Sequence, residues 1–123
     1  MGISREEFFE RAKPKWKECE VQGIGMISVR QITAREQQSY IELRGSEDVD
    51  QRRRSIWWVI AQAVLAPDGS RLFGDGDVER IGTLEAEAVA RVFLEIMRFS
   101  DADAEAVERA GESSAETATP SST

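Results

Sequence analysis

Four groups of residues in this chain have types and spacing that could do chemistry: Cys19, the acids around Asp75, the run Arg52-Arg53-Arg54, and the adjacent Trp57 and Trp58. A cysteine nucleophile needs a neighbouring base, and the chain has no histidine. The commonest general base and the commonest metal ligand are therefore both missing. Cys19 alternates with Glu18 and Glu20 in an extended pattern and reads as a small, half-buried hydrophobe. Asp68, Asp75, Asp77 and Glu79 lack the third oxygen ligand, the following glycine and the distant glutamate of a calcium loop. Turns and helix caps account for them. Gly74 and Gly76 are not followed by the Gly-Lys-Ser/Thr of a phosphate loop. No catalytic, cofactor-binding or metal-binding residue is assigned, and the chain reads as a non-enzyme without a cofactor.

The arginine run follows Glu47, Asp48 and Asp50 and has no interleaved aromatics, which describes a solvated helix face better than a nucleic-acid interface. Trp57 and Trp58 pose a different problem. Neighbouring helix positions point about 100° apart, so the two rings cannot share one core stripe. Either other helices wrap both, or one of them meets a partner or a second copy, where tryptophan is enriched.

These groups must be positioned by a chain of 123 residues, enough for one domain. Its 41% hydrophobic and 32% charged residues are a globular balance. No apolar run approaches the roughly 18 residues of a membrane span, and the N-terminus lacks the basic flank and apolar core of a secretory signal. A single cysteine suits a reducing cytoplasm. The net charge of −7 is unevenly spread, because residues 101–123 hold six acids against one base. The body is nearly balanced and the end is acidic, which favours solubility and repels nucleic acid.

Ser4 with Glu7 forms a capping box and starts a short helix expected to bury some of Phe8, Phe9 and Ala12; Pro14 ends it. Lys15–Val21 and Met26–Ile32 alternate as strands around Gly23 and Gly25, a hairpin that must lean on helices. Thr33 with Glu36 opens a second helix, for which Gly45 fits a left-handed terminator. Ser46 is the candidate cap of a third, with Asp48–Arg52 and Asp50–Arg54 as i,i+4 pairs. That helix is apolar from Ile56 to Ala66 except for Gln62, and is expected at the centre of the fold.

Pro67-Asp68-Gly69-Ser70 is a turn that returns Leu72 and Phe73 to the core. Asp77 caps a short helix to Ile81, ending at Gly82, and Thr83 begins the most regular helix, Leu84–Phe99. On that helix Leu84, Ala88, Val89, Val92, Phe93, Ile96 and Met97 share one face. Asp103 caps a last small helix to Ala110. The expected fold is α+β and mostly helical: an N-terminal helix and β-hairpin packed on a bundle of about four to five helices. Residues 1–110 form the single domain and 111–123 a disordered polar tail.

The order of these elements, with the segments Gly25-x-Ile27-x-Val29-Arg30-x-Ile32-Thr33 and Asp68-Gly69-x-x-Leu72-Phe73 followed by Val78, resembles the tail assembly chaperones of long-tailed, siphophage-like bacteriophages and prophages. The match covers roughly residues 8–110. The resemblance implies a protein that binds the tape measure protein in the host cell cytoplasm. It would keep this client soluble and extended while the tail-tube protein polymerises around it, then leave, so that the mature virion lacks it. It further implies a homo-oligomer, often made in a second form lengthened by ribosomal frameshifting, with no nucleic acid and no membrane as partner. The expected client groove lies around Trp57, Trp58, Val92 and Ile96. The alternative is a structural head–tail connector or tail-completion protein of the virion, which would form a closed ring; a small host adaptor is a third reading.

Overall fold

The computed structural model describes residues 2–115, with the side chains of 2–101. The chain combines helices with a small three-stranded antiparallel sheet, as its patterning implies. Helix α1 spans Arg5–Arg11, strands β1 and β2 span Trp16–Val21 and Gly25–Arg30, and helices α2 and α3 span Ala34–Arg44 and Val49–Ala63. Strand β3, Val64–Leu65, follows directly; a 3-10 turn at Asp75–Asp77 leads into α4, Val78–Ile81, and α5 runs over Ala86–Ala115.

The hairpin has the expected inside and outside. Cys19 pairs with Ile27 and Val21 with Gly25, and Val21 and Val29 are buried while Glu18, Glu20 and Met26 are exposed. Gly23 (φ 90°) and Gly25 (φ 115°) supply the positive dihedrals of the turn. The sheet gains a third strand where the sequence reads as helix. Val64 and Leu65 leave α3 to pair with Val29 and Ser28, because β2 otherwise presents an unpaired edge and Pro67 forbids a longer helix. The turn at 67–70 forms as expected: the Gly69 amide donates to the Ala66 carbonyl, and the Leu72 amide donates to the Val64 carbonyl.

The core lies between the inner sheet face, α3 and α5. Val29, Val59, Ala61, Ala63 and Ile96 are fully covered, and Val64, Ile60, Ile81 and Val92 nearly so. Helix α3 is the hub, with five buried residues, although Val49 and Ile56 on the same helix are exposed. Burying Ile60, Ile81, Val92 and Ile96 supplies on the order of 6–12 kcal/mol gross before entropy. Glu36 of α2 is tied into this body by Arg30, whose two nitrogens donate to its two oxygens at 2.8 and 2.7 Å and also to the Gln31 and Gln62 carbonyls.

Several local expectations change. Helix α1 has its complete capping box, yet it buries nothing: every residue from Gly2 to Trp16 is exposed, Phe8 and Phe9 by 60% and 59%. Gly45 sits at φ −90°, outside the left-handed region, since α3 begins four residues later and the link stays tight. The cap of α3 is Asp48, not Ser46; Ser46 instead accepts from the Asp48 amide. Neither expected i,i+4 pair forms, because Asp48 is occupied with the Asp50 amide and Arg54 reaches across to Glu79. Asp77 accepts from the Gly74 amide and does not cap α4. Thr83 donates to the Arg80 carbonyl, while Glu85 accepts from the Glu87 and Ala88 amides at the start of α5. Finally, the expected separate helix at 103–110 is part of α5, which continues through Ala115; residues 116–123 of the expected tail lie outside the described residues.

Candidate functional site: an apolar cleft at the hairpin tip

Three large apolar residues stay half exposed next to one another in the fold although they are far apart in sequence. Ile24 is held at the hairpin tip by flanking glycines, with its amide donating to the Val21 carbonyl. Leu72 follows the turn at 67–70, where Arg71 anchors the returning chain by donating to the Ala61 carbonyl and to Asp75. Leu84 lies between the end of α4 and Glu85, its amide donating to the Ile81 carbonyl. They are 48%, 50% and 56% exposed, respectively.

These three rim an apolar cleft of about 350 Å³, with Ile27, Ile60, Val64, Val89 and Val92 beneath them. Phe73 and Ile81 close one side. Arg91 donates to the Gln22 carbonyl at 3.1 Å and ties the hairpin tip to α5. Glu85 is the single charged residue of the lining. Such a cleft can take up apolar side chains of a partner and orient them against one carboxylate; it holds no paired groups for acid–base work.

The residues expected to form a client groove are not brought together. Val92 is 6% exposed and forms part of the cleft floor, while Ile96 is fully buried in the core. Trp57 is half-buried against Gly82, where a Cβ would stand 2.6 Å from the indole ring. Trp58, also half-buried, borders a shallow polar hollow with Thr33, Arg35 and Gln62 on another side of α3. Both tryptophans pack on the core, and neither lines the cleft. Leu72 was expected in the core and is instead half exposed on the rim, where the returning chain bridges β3 at Leu65–Arg71 and the Leu72 amide donates to the Val64 carbonyl. Periodicity places Leu84 on the apolar face of the last helix and the turn at 67–70 returns Leu72 to the core; both instead lie outside the regular elements and half exposed, while Ile24, between two turn glycines, has no periodic signal. The available signal was a large apolar residue within two or three positions of a turn glycine: Gly23 and Gly25, Gly69, Gly82.

The other chemical candidates are engaged separately. Burial pushes the Cys19 thiol up, and Glu95 beside it adds to the effect, so the sulfur is protonated at neutral pH. Asp68 accepts from the amide and hydroxyl of Ser70, which hold its carboxyl below the usual range. Among the described residues no three histidine, cysteine or acidic side chains are grouped to hold a metal ion, and no helix is long and apolar enough to cross a membrane. Arg52 donates to the Ser46 carbonyl, Arg53 lies 3.9 Å from Asp50, and Arg54 pairs with Glu79. Comparison of the chain with protein-family models, curated proteins and solved structures returned no match.

Proposed function

We propose that this protein is a phage tail assembly chaperone that binds the tape measure protein, keeps it soluble and extended, and assists tail-tube polymerisation. The observation that carries this reading is the apolar cleft rimmed by Ile24, Leu72 and Leu84. A long helical client presents apolar side chains at i, i+3 and i+4, and a cleft of this size accepts one or two of them. Shallow, repeated contacts of this kind bind weakly one by one, so tube subunits can displace the copies stepwise. The client site moves from the tryptophans to the hairpin tip; of the residues first expected there, Val92 remains, as floor.

Co-expression with the tape measure protein from the same genome tests the proposal. Co-elution as a soluble complex with many copies per client, and insolubility of the client alone, is the expected result. Leu72→Glu and Leu84→Glu, both at exposed positions, are expected to abolish co-elution while leaving the fold intact by circular dichroism. A chain that ignores the client and forms a discrete ring would turn the reading to the head–tail connector.

A further inference from the structure

We propose that the outer face of the sheet is a second docking surface, which receives a helix of another protein carrying lysine or arginine beside an apolar stripe. The first ground is the face itself. The core covers the inner side, where Val21 and Val29 are buried. On the outer side the strand pairing sets Glu18 opposite Ser28, Glu20 opposite Met26 and Ser28 opposite Leu65. Trp16 and Met26 on that side are 64% and 65% exposed, more than any other large apolar side chain among the described residues. Trp16, Leu65 and Pro67 wall a hollow of about 500 Å³ together with Glu18, Ser28 and Asp68. A sheet face with large apolar residues is stably covered by a helix.

The second ground is charge, counted over the whole face. Its acids are Glu18, Glu20 and Asp68. Glu18 and Glu20 stand on one side of β1 about 7 Å apart, and no lysine or arginine pairs with either among the described residues. Asp68 accepts only from the Ser70 amide and hydroxyl, both neutral. The neighbouring bases are engaged elsewhere, Arg30 by Glu36 and two carbonyls, Arg71 by Asp75 and the Ala61 carbonyl. Lys17 alternates to the inner side and pairs with Glu95. Three acids thus lack a cation beside Trp16, whose ring face attracts one as well.

The third ground is size. The six residues of β1 run about 20 Å, and at the level of Ser28 the three strands span about 10 Å. Those are the length and width of about 13 helical residues. A strand added to β1 would use its backbone edge and leave the hollow at Pro67 empty, whereas a helix laid across the face fills it. The hairpin-tip cleft opens on the opposite side, where Ile27 and Val64 line it. The inference therefore stands apart from the client reading.

Fluorescence anisotropy with the full chain tests it. The probe is a dye-labelled helical peptide of about 14 residues in which lysines flank a leucine stripe, beside a twin with glutamate for lysine. The lysine peptide is expected to bind at least about tenfold more tightly than its twin. Glu18→Lys with Glu20→Lys is expected to weaken it by about tenfold, and Trp16→Ala by about three- to tenfold. Both variants change exposed positions, and circular dichroism checks their fold. The same reversal at the exposed Glu42 and Glu47 should change affinity less than about twofold, as should Leu84→Glu in the cleft. Equal binding of the two peptides, or none, overturns the proposal. So does an equal loss in the Glu42 and Glu47 variant, which would mean attraction to net charge alone. A loss confined to Leu84→Glu overturns it too, by seating the helix in the cleft. Failure of client co-elution with these results intact would sink the chaperone reading and leave this one standing.

Discussion

Helices α1 and α2 begin with the same device: Ser4 with Glu7 and Thr33 with Glu36 each close a reciprocal capping box. Around α1 every residue is exposed, and beyond its box Glu7 lies 3.8 Å from Arg11, an ion pair between exposed groups. Around α2 the second acid of the box is held by the two-pronged Arg30, and Tyr40 lies 5.8 Å from the Phe93 ring on α5. An identical local motif therefore starts both helices, while its worth to the whole protein depends on what the rest of the chain brings to it. A cap that anchors into the core contributes to global stability; one on a detached helix only shapes that helix.

The contrast can be broken hardest at the core. Ile96→Ala, at a fully buried position, is expected to cost about 2–5 kcal/mol in denaturant unfolding. Phe8→Ala or Phe9→Ala, although each removes more carbon, is expected to stay within about 0.5 kcal/mol for the isolated monomer. Next in size is Arg30→Ala, expected to cost about 1.5–3 kcal/mol because it strips four hydrogen bonds and leaves Glu36 half-buried without its cation. The matching change Arg11→Ala on α1 should be close to neutral.

Acid titration sharpens the same comparison. Burial alone would raise the Glu36 carboxyl, but the Arg30 fork and the Thr33 amide outweigh it and hold it below the usual carboxylate range. Its folded-state pKa thus lies below the unfolded value of about 4.3, so its contribution is present above that value and is lost as pH falls through the folded one. Chemical denaturation from pH 6 down to pH 3 should show stability falling in that window. Glu36→Gln should flatten part of the fall. The smallest effect is at the caps: Thr33→Ala is expected to cost about 1 kcal/mol globally, whereas Ser4→Ala should change only amide exchange within α1.

Much of this architecture is legible locally. The capping boxes, the glycine-turned hairpin, the turn at 67–70 and the buried face of α5 were each readable from a few neighbouring residues, because the forces that set them act within a turn or along one strand. The errors cluster where two distant segments compete for one group. Val64 continues an apolar helix until β2 offers it a ladder. Arg54 has a partner four residues back until Glu79 arrives from α4. For Trp57 the sequence leaves core and partner contact both open, and Gly82, lacking a side chain, gives the indole room beside the core.

By itself, then, the sequence determined the mixed helix-and-strand class, the starts of α1 and α2 and which faces of β1, β2 and α5 turn inward, since periodicity and capping are short-range. Only the tertiary structure decided that α3 stops at Ala63, that Arg30 locks Glu36, that Phe8 and Phe9 find nothing to cover them, and that Ile24, Leu72 and Leu84 gather around one cleft. Those outcomes rest on contacts between segments tens of residues apart, and burial belongs to the surface such segments make together.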